Sequence, residues 1–268
     1  MSSAGRQRLL SSWWLAAVLA ATLLAATFLA ACTDEGESDL TVFAAASLRD
    51  VVSELETAWL DEHPGTPLTV ASEASNVLAA RIREGAPADV FLSADTERPQ
   101  ELARQGHTAA QPVPLARNAL TLVVPAAGEA VATPADLARP GVRIVSTSPG
   151  APITRYARQI IDRLAASQPR PDAWLAAVEA NIVSREDNVR AALAKVELGE
   201  ADAAFVYLTD LRGATDVRPI ALPGWATVRA SYAAVQVSQR PPAAEFVAWL
   251  AGPEAQRVIA MAGFEVPG

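Results

Sequence analysis

Short apolar runs alternate with stretches of helical spacing from residue 40 onward. Leu40-Thr-Val-Phe-Ala44 is a buried-strand pattern, and it leads through Ala45-Ala46 into Ser47-Leu-Arg-Asp50, where Ser and an Asp three residues later match a capping box. Val51, Val52, Leu55, Ala58 and Trp59 then recur at helical spacing until His63-Pro64-Gly65 ends the helix. Leu68-Thr-Val70 is the next strand, and Ser75-Asn76 opens a second helix with Val77, Leu78, Ala80 and Ile82 as packing positions and Gly85 as its stop. Ala88-Asp-Val-Phe-Leu92 is a further buried strand, and residues 97–105 read as a helix closed by Gly106. This β-α-β-α-β order implies a largely parallel, doubly wound sheet.

The alternation then restarts. Leu120-Thr-Leu-Val-Val124 is a long central or crossover strand, Thr133-Pro-Ala-Asp136 opens a short helix, and Val142-Arg-Ile-Val145 is a strand. Pro152 opens a third helix in a position that proline favours, with Tyr156, Ile160, Ile161 and Leu164 on its apolar face. Ser184-Arg-Glu-Asp187 matches a capping box for a fourth helix carrying Val189, Leu193 and Val196. Residues 203–207, 217–221 and 231–237 are strands, and residues 243–250 and 253–261 are helices. Trp59, Trp174 and Trp249 read as packing on helical faces.

The first forty residues follow another logic. Arg6 and Arg8 precede a stretch, Trp13 to Ala31, with no charge, which ends Leu29-Ala30-Ala31-Cys32. This reads as a signal peptide over residues 1–31 with a lipoprotein cleavage box, leaving Cys32 as the lipidated first residue and residues 32–39 as a polar tether. An uncleaved membrane helix is the competing reading, because the uncharged stretch approaches the roughly 20 residues that span a bilayer. Either way the globular body is exported and held at a membrane.

Charge narrows the function. The 268-residue chain has 22 Lys and Arg against 30 Asp and Glu, and both basic residues of the leader fall outside the body, so nucleic acid is a poor partner. One cysteine excludes an internal disulfide. Only His63 and His107 are available as histidine bases or metal ligands, both at helix ends, and no nucleophile elbow, zinc-protease motif, P-loop or cysteine pair occurs. No catalysis and no cofactor are expected. What remains is a set of loops that each enter a helix, at Ser47, Ser75, Ile153 and Val189, where the free N–H groups of a first turn hold an anion without a cationic side chain. In an open α/β fold such junctions lie together at the carboxyl ends of the strands.

Three ordered segments carry a resemblance: Val42-Phe-Ala-Ala-Ala-Ser-Leu48, Gly85-Ala-Pro-Ala-Asp-Val-Phe-Leu-Ser-Ala-Asp95, and Glu186-Asp-Asn-Val-Arg-Ala-Ala-Leu-Ala-Lys-Val-Glu197 leading to Val206-Tyr207. Over residues 40–264 the chain resembles the periplasmic molybdate-binding proteins of ABC transporters. The resemblance implies an α/β type II periplasmic-binding-protein fold of two lobes, residues 40–117 with 235–268 and residues 118–234. Each lobe is then a mostly parallel sheet flanked by helices, and two crossover strands join them. It implies a molybdate or tungstate oxyanion as ligand, an ABC permease as partner, a monomer, and no nucleic-acid partner. By motif, Ser47 and Ser75 give hydroxyls and N–H groups, Ile153 and Val189 give N–H groups, and Tyr207 gives its phenol. The third junction departs from the usual Pro-Ala-Gly-x-Tyr-Ala, reading Pro152-Ile-Thr-Arg-Tyr-Ala157. Arg155 is expected at the rim, steering anions, and Glu73 is expected to face outward, away from the ligand. Asp89 and Asp95 are expected to fix loops. The alternatives are a receptor of the same fold for sulfate, a metal ion or an organic anion, and a serine-dependent hydrolase using Ser47 or Ser75.

Overall fold

The computed structural model describes residues 39–267. The predicted leader, Cys32 and the tether up to residue 38 lie outside the described residues. Strand β1 (Leu40–Ala45) lies between β2 (Leu68–Glu73) and β3 (Val90–Ser93) and runs parallel to both, with Leu40 opposite Leu68 and Val42 opposite Val90. A strand covered on both faces needs apolar residues at successive positions rather than alternate ones, and Val42 and Phe43 duly pack into cores on opposite faces. One face is closed by helix α1 (Arg49–Glu62) through Val51, Val52, Leu55 and Trp59. The other is closed by α2 (Ser75–Arg83) and α3 (Glu97–Arg104), through Leu78, Ile82 and Leu102. Gly106 ends this segment at φ +78°, a conformation open to glycine at little cost.

Strand β4 (Val113–Pro125) is far longer than its apolar run at residues 120–124 indicates. Its first part pairs antiparallel with β9 (Arg229–Gln236), and its second part pairs antiparallel with β7 (Ala204–Tyr207) and β8 (Val217–Ile220). β9 also pairs with β3, so β4 and β9 together connect two sets of strands. In the second set β5 (Ile144–Thr147) lies parallel to β6 (Ile182–Glu186), and Ile144 bridges in parallel to Ala203 at the entrance to β7. The orders β2-β1-β3 and β6-β5-β7 therefore match. Pairing is parallel within each trio and antiparallel where the long strands join, which makes the α/β sheets mixed.

The second trio is flanked by α4 (Pro152–Ala166), α5 (Pro171–Ala180) and α6 (Val189–Glu197), and the chain closes with α7 (Pro241–Leu250) and α8 (Pro253–Met261). Helix α5 is not marked by the apolar spacing alone; Pro171 opens it, and buried Trp174 anchors it by donating Nε1–H to the Ala135 carbonyl at 3.1 Å. The short helix predicted at Thr133-Pro-Ala-Asp136 forms, and it is opened by a capping box, with Asp136 accepting from the Thr133 N–H at 2.8 Å. The two capping boxes predicted from the sequence do not form. Ser47 lies in a 3-10 turn, residues 46–48, and its hydroxyl pairs far away in sequence, while α1 starts at Arg49 with no side-chain cap. Ser184 to Glu186 belong to β6, and Asn188 caps α6 instead, accepting from the N–H groups of Arg190 and Ala191 at 3.1 Å each. On α2, Ser75, Leu78, Ala79 and Ile82 are buried and Val77 is 37% exposed. Once Ser75 faces inward, its i+3, i+4 and i+7 neighbours must follow, which replaces Val77 and Ala80 as packing positions.

Among the described residues no helix is long and apolar enough to cross a membrane.

Candidate functional site

The matching strand orders put five junctions at carboxyl ends of parallel strands. Ser47 follows β1, Ser75 opens α2 after β2, Ile153 is the second residue of α4 after β5, Val189 opens α6 after β6, and Tyr207 ends β7. All five line one pocket of about 240 Å³, open solvent included. The rest of its wall is Ala45, Ala46, Ala74, Ala94 and Ala151, with Pro152 and Asn188. Alanines leave the backbone within reach of a ligand, and no charged side chain lines the pocket. A larger cavity of about 1000 Å³, open solvent included, also has Ile153 in its wall, together with Thr154. Its walls combine aliphatic side chains, Ile144, Ile161, Val178 and Ile182 among them, with Arg158 and Arg185, each of which is paired with a carboxylate, Asp162 and Glu179.

The polar atoms in the smaller pocket are set as donors. The Ser75 hydroxyl oxygen accepts from the Ala94 N–H at 3.0 Å, which leaves its own hydrogen for another acceptor. The Ser47 hydroxyl lies 3.0 Å from the Tyr232 hydroxyl. Among the described residues neither serine hydroxyl hydrogen-bonds to a histidine or a carboxylate, the partners that activate a serine nucleophile. The Tyr207 hydroxyl is buried with no hydrogen-bond partner among the described residues. Burial, followed by the neighbouring Tyr232, Tyr156, Asp210 and Asp95, pushes its pKa well above the ordinary value, so the phenol keeps its proton. The first turns of α2, α4 and α6 add backbone N–H groups that have no acceptor within their helices.

Thr154 resolves the altered third junction. No residue other than glycine takes a positive φ among the described residues, so Thr154 sits in ordinary backbone. Its hydroxyl donates to the Ser148 carbonyl at 2.8 Å and lies 2.6 Å from the Thr147 hydroxyl, fastening the start of α4 to the end of β5.

The surrounding charges pair with each other. Arg155 is not a free steering cation: it lies 3.4 Å from buried Asp95 and also pairs with Glu97. Asp95 holds its loop by accepting from the Ser93 hydroxyl and the Arg98 N–H, and Asp89 by accepting from the Thr41 N–H and the Ser238 hydroxyl. Glu73 is not among the residues that line the pocket. Three side chains that local patterns did not single out sit beside it: Tyr232, Asn118 and Asp210, all buried.

Asp210 accepts from the Tyr207 N–H at 3.1 Å, and Arg190 Nε lies 3.0 Å from its other oxygen without hydrogen-bond alignment. Burial dominates, opposed by Arg190, and raises its pKa to about 7 from 3.8. The fold thus favours the protonated acid. That contribution is fully present below the unfolded value and is lost as pH rises through the folded one. The melting temperature of the wild type is therefore expected to fall between about pH 4 and 7 relative to that of Asp210→Asn. Parallel curves for the two proteins in thermal melts would remove Asp210 as the titrating group.

Comparison with known proteins agrees with this arrangement. Residues 40–265 match the family described as bacterial extracellular solute-binding protein. The chain is 33% identical over 238 residues, 87% of each chain, to the molybdate-binding protein ModA of Mycobacterium bovis. It is 29% identical over 264 residues to ModA of Escherichia coli, covering 94% of this chain and 98% of that one. The periplasmic molybdate-binding protein of Azotobacter vinelandii superposes with a TM-score of 0.71 at 26% identity, covering 85% of this chain and all of that one. Family match, strand order and the junction-built pocket agree: the chain belongs to the bacterial extracellular solute-binding proteins, of the type II periplasmic-binding-protein fold.

Proposed function

We propose that this protein captures molybdate, and tungstate with it, outside the cytoplasm and delivers it to an ABC importer. The observation that carries the reading is the convergence of five donor positions on one pocket that no charged side chain lines. Neutral donors suit a dianion, because no permanent cation has to be desolvated and their fixed spacing selects ionic radius. The names of the mycobacterial, Escherichia and Azotobacter relatives support the choice of molybdate. The protein acts as a monomer, and lipid on Cys32 holds it at the membrane beside its permease.

Residues 40–117 with 235–268 form one lobe and residues 118–234 the other, with β4 and β9 as the connecting strands. The anion first meets Ser47 and Ser75, and then recruits the N–H groups of Ile153 and Val189 and the phenol of Tyr207. Ion pairs reach from one of these lobes to the other: Asp50 with Arg190 at 2.6 Å, and Glu54 with Arg212 at 2.7 Å. These exposed pairs align the lobes more than they stabilise them.

Gly150 marks a close approach between the lobes, since a Cβ there would stand 2.9 Å from Asn76 Nδ2. Gly150→Ala is expected to hold the lobes apart and weaken molybdate binding about 3- to 10-fold through overpacking. Unchanged affinity in calorimetry would mean that the two segments do not meet in the bound form.

The function itself is tested by titrating the purified protein with molybdate, tungstate, sulfate and phosphate in a calorimeter. Saturable one-to-one binding of the first two is expected. Phosphate should fail to compete, because its protonated oxygen needs an acceptor where the site presents donors. Tighter binding of sulfate than of molybdate, or no binding of either metal oxyanion, would overturn the reading.

A further inference from the structure

We propose that Tyr232 is a positioning residue of the oxyanion site, directing the Ser47 hydroxyl hydrogen at the ligand through the hydrogen bond it makes to Ser47 from β9. The inference rests on the receptor reading given above. Tyr232 lies on β9 opposite Ala116 of β4, and Asn118 lies two residues farther along β4, opposite Ala230. Both side chains are buried, at 1% and 2% exposure. Neither Tyr232 nor Asn118 lines the pocket.

The direction of the bond follows from donor counting. Asn118 Nδ2 donates to the Thr209 hydroxyl at 2.7 Å. The buried Tyr232 hydroxyl has one hydrogen to place, and the Ser47 oxygen, 3.0 Å away, is its one hydrogen-bond partner among the described residues. Tyr232 therefore donates and Ser47 accepts. A serine hydroxyl has a single hydrogen, so the one on Ser47 is left for the pocket that Ser47 lines. The reversed arrangement would turn a serine lone pair toward a dianion and leave the buried tyrosine hydrogen with no acceptor. Ser75 reaches the same condition by another route, because the Ala94 N–H occupies its oxygen. Both serines are thus held as acceptors on the protein side and presented as donors on the ligand side.

The Tyr232 ring has a separate duty. It packs edge-on against Tyr207, with ring centroids 5.6 Å apart, and against Phe264 at the same separation. Tyr232→Phe keeps this packing and removes only the hydroxyl, which isolates the hydrogen bond from the support of Tyr207.

A double-mutant cycle on the full protein, read by molybdate calorimetry, tests the assignment. Tyr232→Phe is expected to weaken binding about 5- to 20-fold, and the same change in a Ser47→Ala background is expected to cost nothing further. A merely structural role for the hydroxyl would show the same loss in both backgrounds. Wild-type affinity in Tyr232→Phe, or a loss that adds fully to that of Ser47→Ala, would overturn the proposal. A wild-type protein that binds no molybdate would overturn the receptor reading and this proposal with it, and is told apart because the parent titration alone reports it.

Discussion

Tyr207→Phe is expected to weaken molybdate binding about 10- to 100-fold while making the ligand-free protein more stable by about 1 kcal/mol. Opposite signs follow from one atom. The Tyr207 hydroxyl is buried and has no hydrogen-bond partner among the described residues, and an unsatisfied buried polar group costs roughly 1–3 kcal/mol. Phenylalanine removes that cost and keeps the ring that packs on Tyr232. In the complex the same hydroxyl meets a charged acceptor, where a hydrogen bond contributes about 1.5–3 kcal/mol. Burial holds its pKa well above the ordinary value, which keeps the proton on the phenol and the group a donor. The site is therefore preorganised at a cost that only the anion relieves, a form of stored strain found at binding sites. Calorimetry and urea unfolding of the two proteins check both halves. Equal affinity would take Tyr207 off the ligand, and lower stability of the variant would show that the hydroxyl is not an unsatisfied group.

Much of this site is legible in the sequence because its donors are tied to strand-helix junctions, and junctions leave a local signature. A buried apolar run, a small polar residue and then helical spacing fix where a first turn lies. Strand order does the remainder, since β2-β1-β3 and β6-β5-β7 bring the ends of β1, β2, β5, β6 and β7 to one pocket. The errors are of another kind. A capping box is a local guess about where a side chain finds its partner, and the Ser47 hydroxyl finds Tyr232, 185 residues away. Ser184 bonds to Glu186 within its own strand, which leaves the cap to Asn188. Arg155 reads as a free cation until folding brings Asp95 beside it. Tyr232 and Asn118 carry no periodic or motif signal at all. They are found only through the register of β4 against β9, because strand pairing, not spacing, decides which side chains lie near each other there.

A backbone donor is best tested by deleting it, and Val189→Pro is expected to lower molybdate affinity about 10- to 100-fold with helix α6 intact. Val189 is the first residue of α6, where proline is favoured because its missing N–H has no helical acceptor and its fixed φ suits the turn. Asn188 before it is extended, at φ −150° and ψ 172°, the region to which a following proline restricts its neighbour. Its side chain already satisfies the next two N–H groups, those of Arg190 and Ala191. The cap thus survives the substitution, and the Val189 N–H, on the pocket wall, is the donor that is lost. Val189→Ala is the control: it keeps the N–H and trims a buried side chain, and is expected to cost about 1 kcal/mol of stability with affinity within about 3-fold of wild type. Circular dichroism reports the helix and calorimetry the affinity. If the proline and alanine variants bind alike, the anion is held by side chains alone, and the α6 N-terminus contributes shape to the pocket without donating to its ligand.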